Sequence, residues 1–271
     1  MKKKIRIGIV GCGAIGSSLA RAIIKDLSRD AKLVALYDID GQKARNLSSS
    51  AGMDLSVSLK RLILRSNLVI EAASAKSSWD IAKEALKEGR SVMIMSVGGI
   101  VDRADELSGL ADKYGSRVYI PSGAISGVDA LKASRIGKIK RVVITTSKHP
   151  LSFKGVEYVR AKGINLDKIR QDRVLFSGSA RQAVKYFPQN INVAAVLSLA
   201  GIGSARTQVR IIASPKIKRN IHEIEIESDS GRVYTRTENV LHPDNPKTSY
   251  LAVLSAIATL KQIVGPVKIG T

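Results

Sequence analysis

A glycine-rich turn near the start of the chain constrains the fold more than any other feature. Residues 5–10 form a short apolar run, and the sequence GCGAIG follows at 11–16, ahead of a segment with helical periodicity. A strand, a glycine-rich turn and a helix in this order are typical of a dinucleotide pyrophosphate site. Gly11 permits the tight turn, Gly13 permits the backbone to approach the phosphates, and Gly16 permits the helix to pack on the strand. We therefore predict a nucleotide-binding α/β unit here.

Two features beyond the turn support this interpretation. Ala14 and Ile15 begin the predicted helix, whose free N–H groups and positive dipole end favour an anion. Apolar residues then recur on one helical face, as in a helix packed on a sheet; they are Ile15, Leu19, Ile23 and Leu27. A second apolar strand ends in Asp38, about 20 residues past the last glycine, where a ribose-binding carboxylate is expected. The alternative is a glycine turn in an unrelated α/β protein.

Strands and helices alternate through residue 120. Continuous apolar strands separated by helices predict a parallel sheet that is covered on both faces. Ligands bind such sheets at the carboxyl ends of the strands. Besides the glycine turn and Asp38, those ends carry Ala73, Ser74 and the segments 96–99 and 122–124. We expect a cofactor site at this edge.

The pattern changes after about residue 130. The strands there are less continuously apolar, and the sequence DSG at 229–231 reads as a hairpin turn between two of them. Two helices are expected on one side of this sheet, and an amphipathic helix is expected over 248–262. The second half therefore predicts an α+β domain with a mixed or antiparallel sheet.

The net charge of the chain is unusual for its composition. The 271 residues are 44% hydrophobic and 25% charged, which is typical of a globular protein, but the net charge is +21. Nucleic-acid binding is one interpretation of such a charge. The basic residues are dispersed, however, and aromatic residues make up only 4%, which disfavours a base-stacking surface. We expect no nucleic-acid partner and a surface that favours anionic small molecules.

Other classes of protein are disfavoured by the same composition. No apolar run approaches the roughly 18 residues that span a membrane, so we expect no membrane association. One cysteine excludes an internal disulfide framework and fits a reducing cytoplasm. This cysteine and three histidines lie far apart along the chain, and we therefore expect no metal site.

Histidine is the usual acid–base group of a nicotinamide enzyme, because its ordinary pKa is about 6.5. His149 and His242 each precede a proline and are compatible with surface positions. His222 opens the alternating sequence HEIEIE, so it shares a strand face with Ile224 and Ile226. It is therefore either an acid–base group at the end of a buried face or a core histidine satisfied by one hydrogen bond.

Seven segments carry a resemblance to a known family. They are GCGAIG at 11–16, EAAS at 71–74, MSVGGI at 95–100, IPSGAISGVDAL at 120–131, YFPQNINVAA at 186–195, HEIEIE at 222–227 and NPKTSYLA at 245–252. The first is common to many dehydrogenases, whereas the later ones are more specific. In this order, and over essentially the whole chain, they resemble the L-aspartate dehydrogenase family of archaea and bacteria.

The resemblance implies a fold, a reaction and three site residues. The fold is a Rossmann dinucleotide-binding domain, expected over 1–121 and 245–271, with a second α+β domain over 122–244. The reaction is oxidation of L-aspartate to iminoaspartate with NAD or NADP, which supplies NAD biosynthesis. His222 is implied to be catalytic, and Ala124 and Asn190 are implied to contact NAD. A homodimer is implied as well.

Some choices stay open at this point. The enzyme alternative is a related dehydrogenase or reductase for an aspartate-derived semialdehyde or a cyclic imine; the other is a non-catalytic nucleotide sensor that binds nucleic acid. Asp38 favours NAD because a carboxylate repels a 2′-phosphate, while Lys43 and Arg45 leave NADP tolerated. Substrate carboxylates need cationic or N–H partners, and the candidates are Lys148 and a helix start expected at 248–249.

Overall fold

The computed structural model describes residues 3–188, 191–243 and 245–270, and the chain divides into two compact units. The first comprises Met1–Pro121 and Val253–Ile269, and the second comprises Ser122–Ala252 and Gly270–Thr271. The chain therefore leaves the first unit after Pro121 and returns to it after Ala252, within its last helix rather than at residue 245.

The first unit contains a five-stranded parallel sheet. Its strands are β1 (Ile5–Val10), β2 (Ala31–Tyr37), β3 (Leu68–Glu71), β4 (Ser91–Ile94) and β5 (Val118–Tyr119). Their order across the sheet is β2-β1-β3-β4-β5, and every neighbouring pair is parallel. The strand order reverses between β1 and β3, which is where doubly wound sheets bind their ligands.

Five helices lie between these strands along the chain. Residues Val253–Ile269, near the end of the chain, also belong to this unit. The helices are α1 (Ala14–Lys25), α2 (Gly41–Ser50), α3 (Leu59–Arg65), α4 (Ala75–Lys87) and α5 (Ala104–Lys113). Helix α1 buries Leu19 and Ile23 against Ile7 and Ile9 of β1 in one apolar cluster. Burial of such side chains is worth about 1.5–3 kcal/mol each, so this contact fixes the helix at the carboxyl end of β1.

The second unit contains a mixed five-stranded sheet. Its strands are β6 (Ile139–Lys148), β7 (Arg173–Ser179), β8 (Gln208–Ala213), β9 (Asn220–Ser228) and β10 (Gly231–Asn239). Their order is β10-β9-β6-β8-β7, and only the pair β6–β8 is parallel. A short antiparallel pair follows, β11 (Leu241–His242) with β12 (Asn245–Ser249).

Helices cover one face of this sheet. They are α6 (Val128–Ser134), α7 (Glu157–Ala161), α8 (Ala180–Tyr186) and α9 (Asn192–Ala200). The last helix of the chain, α10 (Tyr250–Val264), belongs mostly to the first unit. The alternation of β9 decides which face is covered, since Ile224 and Ile226 belong to the core whereas Glu225 is exposed. His222 lies on the Ile224 face and is buried with it.

The predicted fold class is confirmed, with local differences. Helix α3, helix α6 and strand β7 were not anticipated, because segments of seven residues are too short for periodicity to identify. Residues 245–249 form β12, so the last helix begins at Tyr250 rather than at 248. No helix among the described residues has the length and apolar character needed to cross a membrane.

Candidate active site

The glycine-rich turn between β1 and α1 is shaped by close contacts at two of its glycines. Gly11 has a φ of +98°, and a side chain there would overlap the backbone of Ala72. A Cβ at Gly16 would overlap the carbonyl oxygen of Gly11. At Gly13, in contrast, a Cβ would meet no atom within 4 Å. The turn is therefore tightly packed on its protein side and open at Gly13.

The start of α1 fits a dinucleotide pyrophosphate. Gly13 is the N-cap of the helix, and no side chain caps it. The first N–H groups of a helix have no partner within the helix and favour an anion. Ala14 and Ile15, both partly buried, form this first turn. Phosphate oxygens of a bound dinucleotide would accept hydrogen bonds from these N–H groups, in place of the side-chain cap that the helix lacks.

Asp38 follows β2 and contacts the glycine turn. Its Oδ2 accepts a hydrogen bond from the Cys12 N–H at 2.7 Å, and its Oδ1 accepts one from the Asp40 N–H at 2.9 Å. Each carboxylate oxygen can accept a second hydrogen bond, so Asp38 retains acceptors for a ribose hydroxyl. The Cys12 thiol is buried, and burial together with the charge of Asp38 raises its pKa to about 12.

A second carboxylate, Glu71, lies at the carboxyl end of β3 and is fully buried. Its Oε1 accepts from the Ala73 N–H at 2.8 Å, and its Oε2 accepts from the Ser96 N–H at 3.0 Å. Burial raises the pKa of Glu71 above its ordinary value, and these N–H groups oppose that shift. Glu71 thus ties the loop that carries Ala73 and Ser74 to the loop that follows β4.

His222 is the central titratable group of the second unit. It is only 3% exposed. Strand β6 runs antiparallel to β9 and places Thr146 directly opposite His222. The distance from Thr146 Oγ1 to His222 Nδ1 is 2.9 Å. This hydrogen bond occupies Nδ1, with the hydroxyl as acceptor in one tautomer of the ring and as donor in the other, and it leaves Nε2 to interact with a second partner.

Lys148 lies beside this pair and is 7% exposed. It follows Thr146 by two residues on β6, so both side chains lie on the same face. Burial lowers the pKa of Lys148 to about 8. Burial and the Lys148 charge lower the pKa of His222 to about 3. Because the pKa of His222 lies far below that of Lys148, His222 is neutral at pH 7 while Lys148 is charged. The pair is then a neutral imidazole beside an ammonium group.

A cavity of about 970 Å³ in the second unit is lined in part by Lys148. This volume is within the range of small-molecule sites. Its charged lining consists of Lys148, Lys154, Lys185 and Glu157, and only Lys148 is buried. Asn220, two residues before His222 on the same face of β9, also lines it. The excess of lysine favours an anionic ligand.

Ala124 lies in a loop that the buried side-chain amide of Asn239 joins to the five-stranded sheet of the second unit. The Ala124 carbonyl oxygen accepts a hydrogen bond from Asn239 Nδ2 at 3.0 Å. Asn239 pairs with Asn220 across β10 and β9. Its Oδ1 is buried and has no hydrogen-bond partner among the described residues. Asn190, which was predicted to contact NAD, lies outside the described residues.

Comparisons with known proteins cover nearly the whole chain. Residues 11–121 match the homoserine dehydrogenase NAD-binding domain family, and residues 129–263 match the aspartate dehydrogenase C-terminal family. The L-aspartate dehydrogenase of Methanosarcina mazei is 46% identical, over 98% of this chain and 100% of that protein. The chain belongs to the L-aspartate dehydrogenase family. The L-aspartate dehydrogenase of Methanococcus maripaludis is 41% identical, again over 98% of this chain and 100% of the relative.

Solved structures are similar over the same length. The crystal structure of aspartate dehydrogenase from Thermotoga maritima has a TM-score of 0.69 and 25% identity, covering 99% of this chain and 100% of that one. A hyperthermophilic archaeal homoserine dehydrogenase in complex with NADPH has a TM-score of 0.58 at 19% identity, covering 96% and 98%; this likeness concerns the fold. The predicted family and the NAD-binding domain are confirmed.

The residues predicted for the aspartate dehydrogenase site fall into two groups. The first unit brings one group to the carboxyl edge of its sheet, namely Gly11, Gly13, Ala14, Ile15, Gly16, Asp38, Ala73 and Ser74. The second unit holds His222 and Ala124. The assigned role of each residue stays a prediction.

Two expectations about surface and helix positions are wrong. His242 is buried, and its ring lies 5.6 Å from that of Tyr250 between centroids. Thr248 and Ser249 belong to β12, so they are not the first turn of a helix. His149 is exposed, as expected.

Glu71, Thr146 and Asn239 were not anticipated from the sequence. Glu71 had a visible signal, because a carboxylate ends an otherwise apolar strand. Thr146 had none, because it meets His222 only through the register of β6 and β9. Asn239 likewise depends on the register of β10.

Proposed function

We propose that the protein is an NAD(P)-dependent dehydrogenase that oxidises L-aspartate to iminoaspartate, which water converts to oxaloacetate and ammonia. The observation that carries this proposal is the buried His222–Thr146 pair with the Lys148 ammonium on the same face, in a chain with a nucleotide-binding turn. This combination supplies a neutral proton acceptor beside a cation. It suits an anionic substrate that must lose a proton and a hydride.

Bound NAD(P) would supply the hydride acceptor for the substrate Cα. The residues of the first unit bind and orient it. The α1 N–H groups and Gly13 hold the pyrophosphate, Asp38 accepts from a ribose hydroxyl, and Ala73 and Ser74 line the same edge. We further propose that Ala124 and Asn190 contact the nicotinamide half, as the resemblance implies.

His222 handles the proton in this mechanism. When its Nδ1–H donates to Thr146 Oγ1, Nε2 carries the lone pair. A bound anionic substrate would offset the Lys148 charge that helps to lower the His222 pKa, so that Nε2 can accept a proton from the substrate ammonium. Nε2 releases that proton before the hydrolytic step, in which it accepts one from the water that attacks the imine carbon and then passes it to the departing ammonia. Burial of the ring excludes bulk water, which protects the imine until that step.

Asp38 supports a preference for NAD over NADP. Its carboxylate already accepts two backbone N–H groups, which hold it in place next to the turn. A 2′-phosphate would meet this fixed negative charge. Lys43 and Arg45 lie on α2, the helix that follows Asp38, where they pair with Asp40 and Gln42. Their positive charges leave NADP tolerated.

The remaining parts of the proposal concern the setting of the enzyme. We infer a homodimer that acts in the cytoplasm, in support of NAD biosynthesis, with no nucleic-acid partner. The single cysteine suits a reducing compartment. The dispersed basic residues and the low aromatic content disfavour a nucleic-acid surface. Light scattering after size-exclusion chromatography tests the dimer, and filter binding at low salt tests the nucleic-acid statement.

One assay tests the function itself. Purified protein is mixed with NAD or NADP and L-aspartate, and reduced nicotinamide is followed by absorbance, with D-aspartate and L-glutamate as controls. We expect reduction with L-aspartate only, and faster with NAD. Absence of reduction, together with absence of the reverse reaction from oxaloacetate and ammonia, would overturn the proposal. A KM favouring NADP by tenfold or more would overturn the coenzyme preference alone.

A further inference from the structure

One face of strand β10 is hydrogen-bonded to the loop that precedes helix α6. This face is formed by alternate residues of the strand, namely Thr235, Thr237 and Asn239. Asn239 Nδ2 donates to the Ala124 carbonyl oxygen at 3.0 Å. The hydroxyl groups of Thr237 and Ser126 hydrogen-bond each other at 3.1 Å. Thr235 Oγ1 donates to the Ser126 carbonyl oxygen at 3.4 Å. Successive side chains of one strand therefore fasten this loop at three points.

The same sheet face carries His222. Strand β9 places His222 directly opposite Thr237 and Asn220 directly opposite Asn239. Side chains of opposite residues lie on the same face of a sheet, with their Cβ atoms about 4.5–5.5 Å apart. The loop that Thr237 and Asn239 bind is thus fastened next to the strand of the buried imidazole, within one compact unit. Strand β10 therefore sets how far Ala124 lies from the His222 ring.

Asn239 is the most buried of the three β10 side chains, at 2% exposed. Its Oδ1 has no hydrogen-bond partner within the described part of the chain, and an unsatisfied buried acceptor destabilises a fold. Rotating the amide by half a turn would set Oδ1 against the Ala124 carbonyl oxygen, and two acceptors repel each other. The amide is therefore fixed in the orientation in which its Nδ2 holds Ala124.

We propose that Asn239 is a positioning residue for the nicotinamide half of the coenzyme and that it acts through the Ala124 carbonyl group. The proposal rests on the proposed function, in which Ala124 contacts that half and His222 accepts the proton. The hydride leaves the substrate Cα and the proton leaves the nitrogen bonded to it, so both acceptors must be placed relative to two adjacent atoms. A misplacement of about 1 Å can slow such a reaction by about 100-fold.

The test compares Asn239→Leu with Thr207→Val. Leucine has nearly the shape of asparagine but donates no hydrogen bond, so the Ala124 carbonyl group loses its donor. Thr207 is also buried in the second unit, and its Oγ1 donates to the Gly203 carbonyl oxygen at 2.9 Å, in the loop between α9 and β8. Each variant removes one buried side-chain donor from a loop of this unit. Both should fold, with a Tm lowered by no more than about 6 °C.

Coenzyme binding reports the position of the nicotinamide without turnover. NADH and ADP-ribose, which lacks the nicotinamide ring, are titrated into each variant by calorimetry. We expect Asn239→Leu to weaken NADH binding about 3–10-fold and ADP-ribose binding less than about twofold. The fluorescence emission of bound NADH should also shift, because the surroundings of the ring change. Thr207→Val should alter none of these quantities. Equal weakening of both ligands, or of neither, in Asn239→Leu overturns the proposal.

Steady-state kinetics give the second comparison. In Asn239→Leu we expect kcat to fall about 10–100-fold, while the KM for L-aspartate changes less than about threefold. A kcat within about threefold of wild type overturns the positioning role. A wild-type protein that binds NADH but does not oxidise L-aspartate overturns the proposed function alone, because the comparison of NADH with ADP-ribose still decides the role of Asn239.

A second variant guards against a failure to fold. If Asn239→Leu does not fold, Asn239→Ser is measured in its place. Serine keeps a polar group but is too short to reach the Ala124 carbonyl oxygen from the same backbone position, so the expected changes are the same. Unchanged NADH affinity relative to ADP-ribose in that folded variant also overturns the proposal.

Discussion

The two units build their functional edges in different ways. In the first unit, backbone groups face the ligand position, and the carboxylates of Asp38 and Glu71 hold the loops that carry them. In the second unit, the side chains of His222, Thr146 and Lys148 converge from neighbouring strands. The first arrangement depends on space and turn geometry, whereas the second depends on the chemistry of individual side chains. Substitutions should therefore affect binding in one unit and turnover in the other.

The largest expected effect is on turnover, from His222→Ala. We expect kcat to fall by about 10²–10⁴-fold, the usual contribution of a positioned acid–base group, while NAD affinity is retained. Steady-state kinetics and NADH fluorescence titration measure the two quantities. His242→Ala truncates another buried histidine of the same unit and should reduce stability with kcat changed less than about threefold. A near wild-type kcat in His222→Ala would make His222 a structural core histidine.

Substitutions at Gly16 and Gly13 test whether the turn of the first unit depends on the space around its glycines. Gly16→Ala forces a Cβ onto the Gly11 carbonyl oxygen, and we expect it to lower the free energy of unfolding by about 2–4 kcal/mol. Gly13→Ala meets no atom of the protein, so stability should fall by no more than about 1 kcal/mol, the cost of alanine at a helix N-cap. Its methyl group occupies the approach of the phosphates, however, and NAD affinity should fall about tenfold or more. Equal stability of the two variants in urea unfolding would refute the close contact.

The stability of the second unit should depend on pH through Lys148. Its pKa is about 8 in the folded state against 10.5 in the unfolded state, so the unfolded chain binds more protons between these values. The free energy of unfolding therefore gains about 3 kcal/mol from this group as pH rises from 8 to 10.5. Below pH 8 the penalty of the buried charge is fully present.

Lys148→Met isolates this contribution. The difference in unfolding free energy between the variant and wild type should be largest, in favour of the variant, at pH 7 and should shrink towards pH 10.5. Denaturant unfolding at several pH values measures it, with Lys140→Met as the control whose difference stays flat. A difference independent of pH would show that Lys148 titrates normally.

Glu71→Gln should have the smallest of these effects. A glutamine amide offers one acceptor oxygen where two backbone N–H groups need acceptors, so the N–H of Ala73 or of Ser96 loses its partner. We expect a loss of about 1–3 kcal/mol in stability and an NAD affinity several-fold weaker, because the loop that carries Ala73 and Ser74 is released. Glu84→Gln, an exposed position on α4, controls for the charge. Unchanged NAD affinity would limit Glu71 to a role in folding.

The sequence was most informative where function follows from local geometry. GCGAIG, the amphipathic face of α1 and Asp38 all lie within a single βαβ segment, so spacing alone predicted their arrangement. His222 could be placed on a buried face by alternation, but not next to Thr146. That contact joins residues 76 positions apart through strand register, which depends on how both strands pack on the same helices.

The same distinction explains the errors. Thr248 and Ser249 carry good helix-start chemistry, yet they pair with β11 because tertiary pairing overrides local preference. His242 precedes a proline, as surface residues often do, yet it packs against Tyr250. Helix α3 and strand β7 are too short to be identified from hydrophobic periodicity. For His242 and Ser249 the missing information was the identity of the partner, which lies only a few residues away in a hairpin that the sequence pattern does not reveal.

Cys12 gives the protein a reporter of its own nucleotide turn. The thiolate is the reactive form of cysteine, and in the folded turn burial raises the pKa of this thiol to about 12. A sulfhydryl reagent therefore modifies the only cysteine of the chain when the turn opens, and its rate measures that opening. No label has to be engineered to measure how a coenzyme changes the rate of that opening.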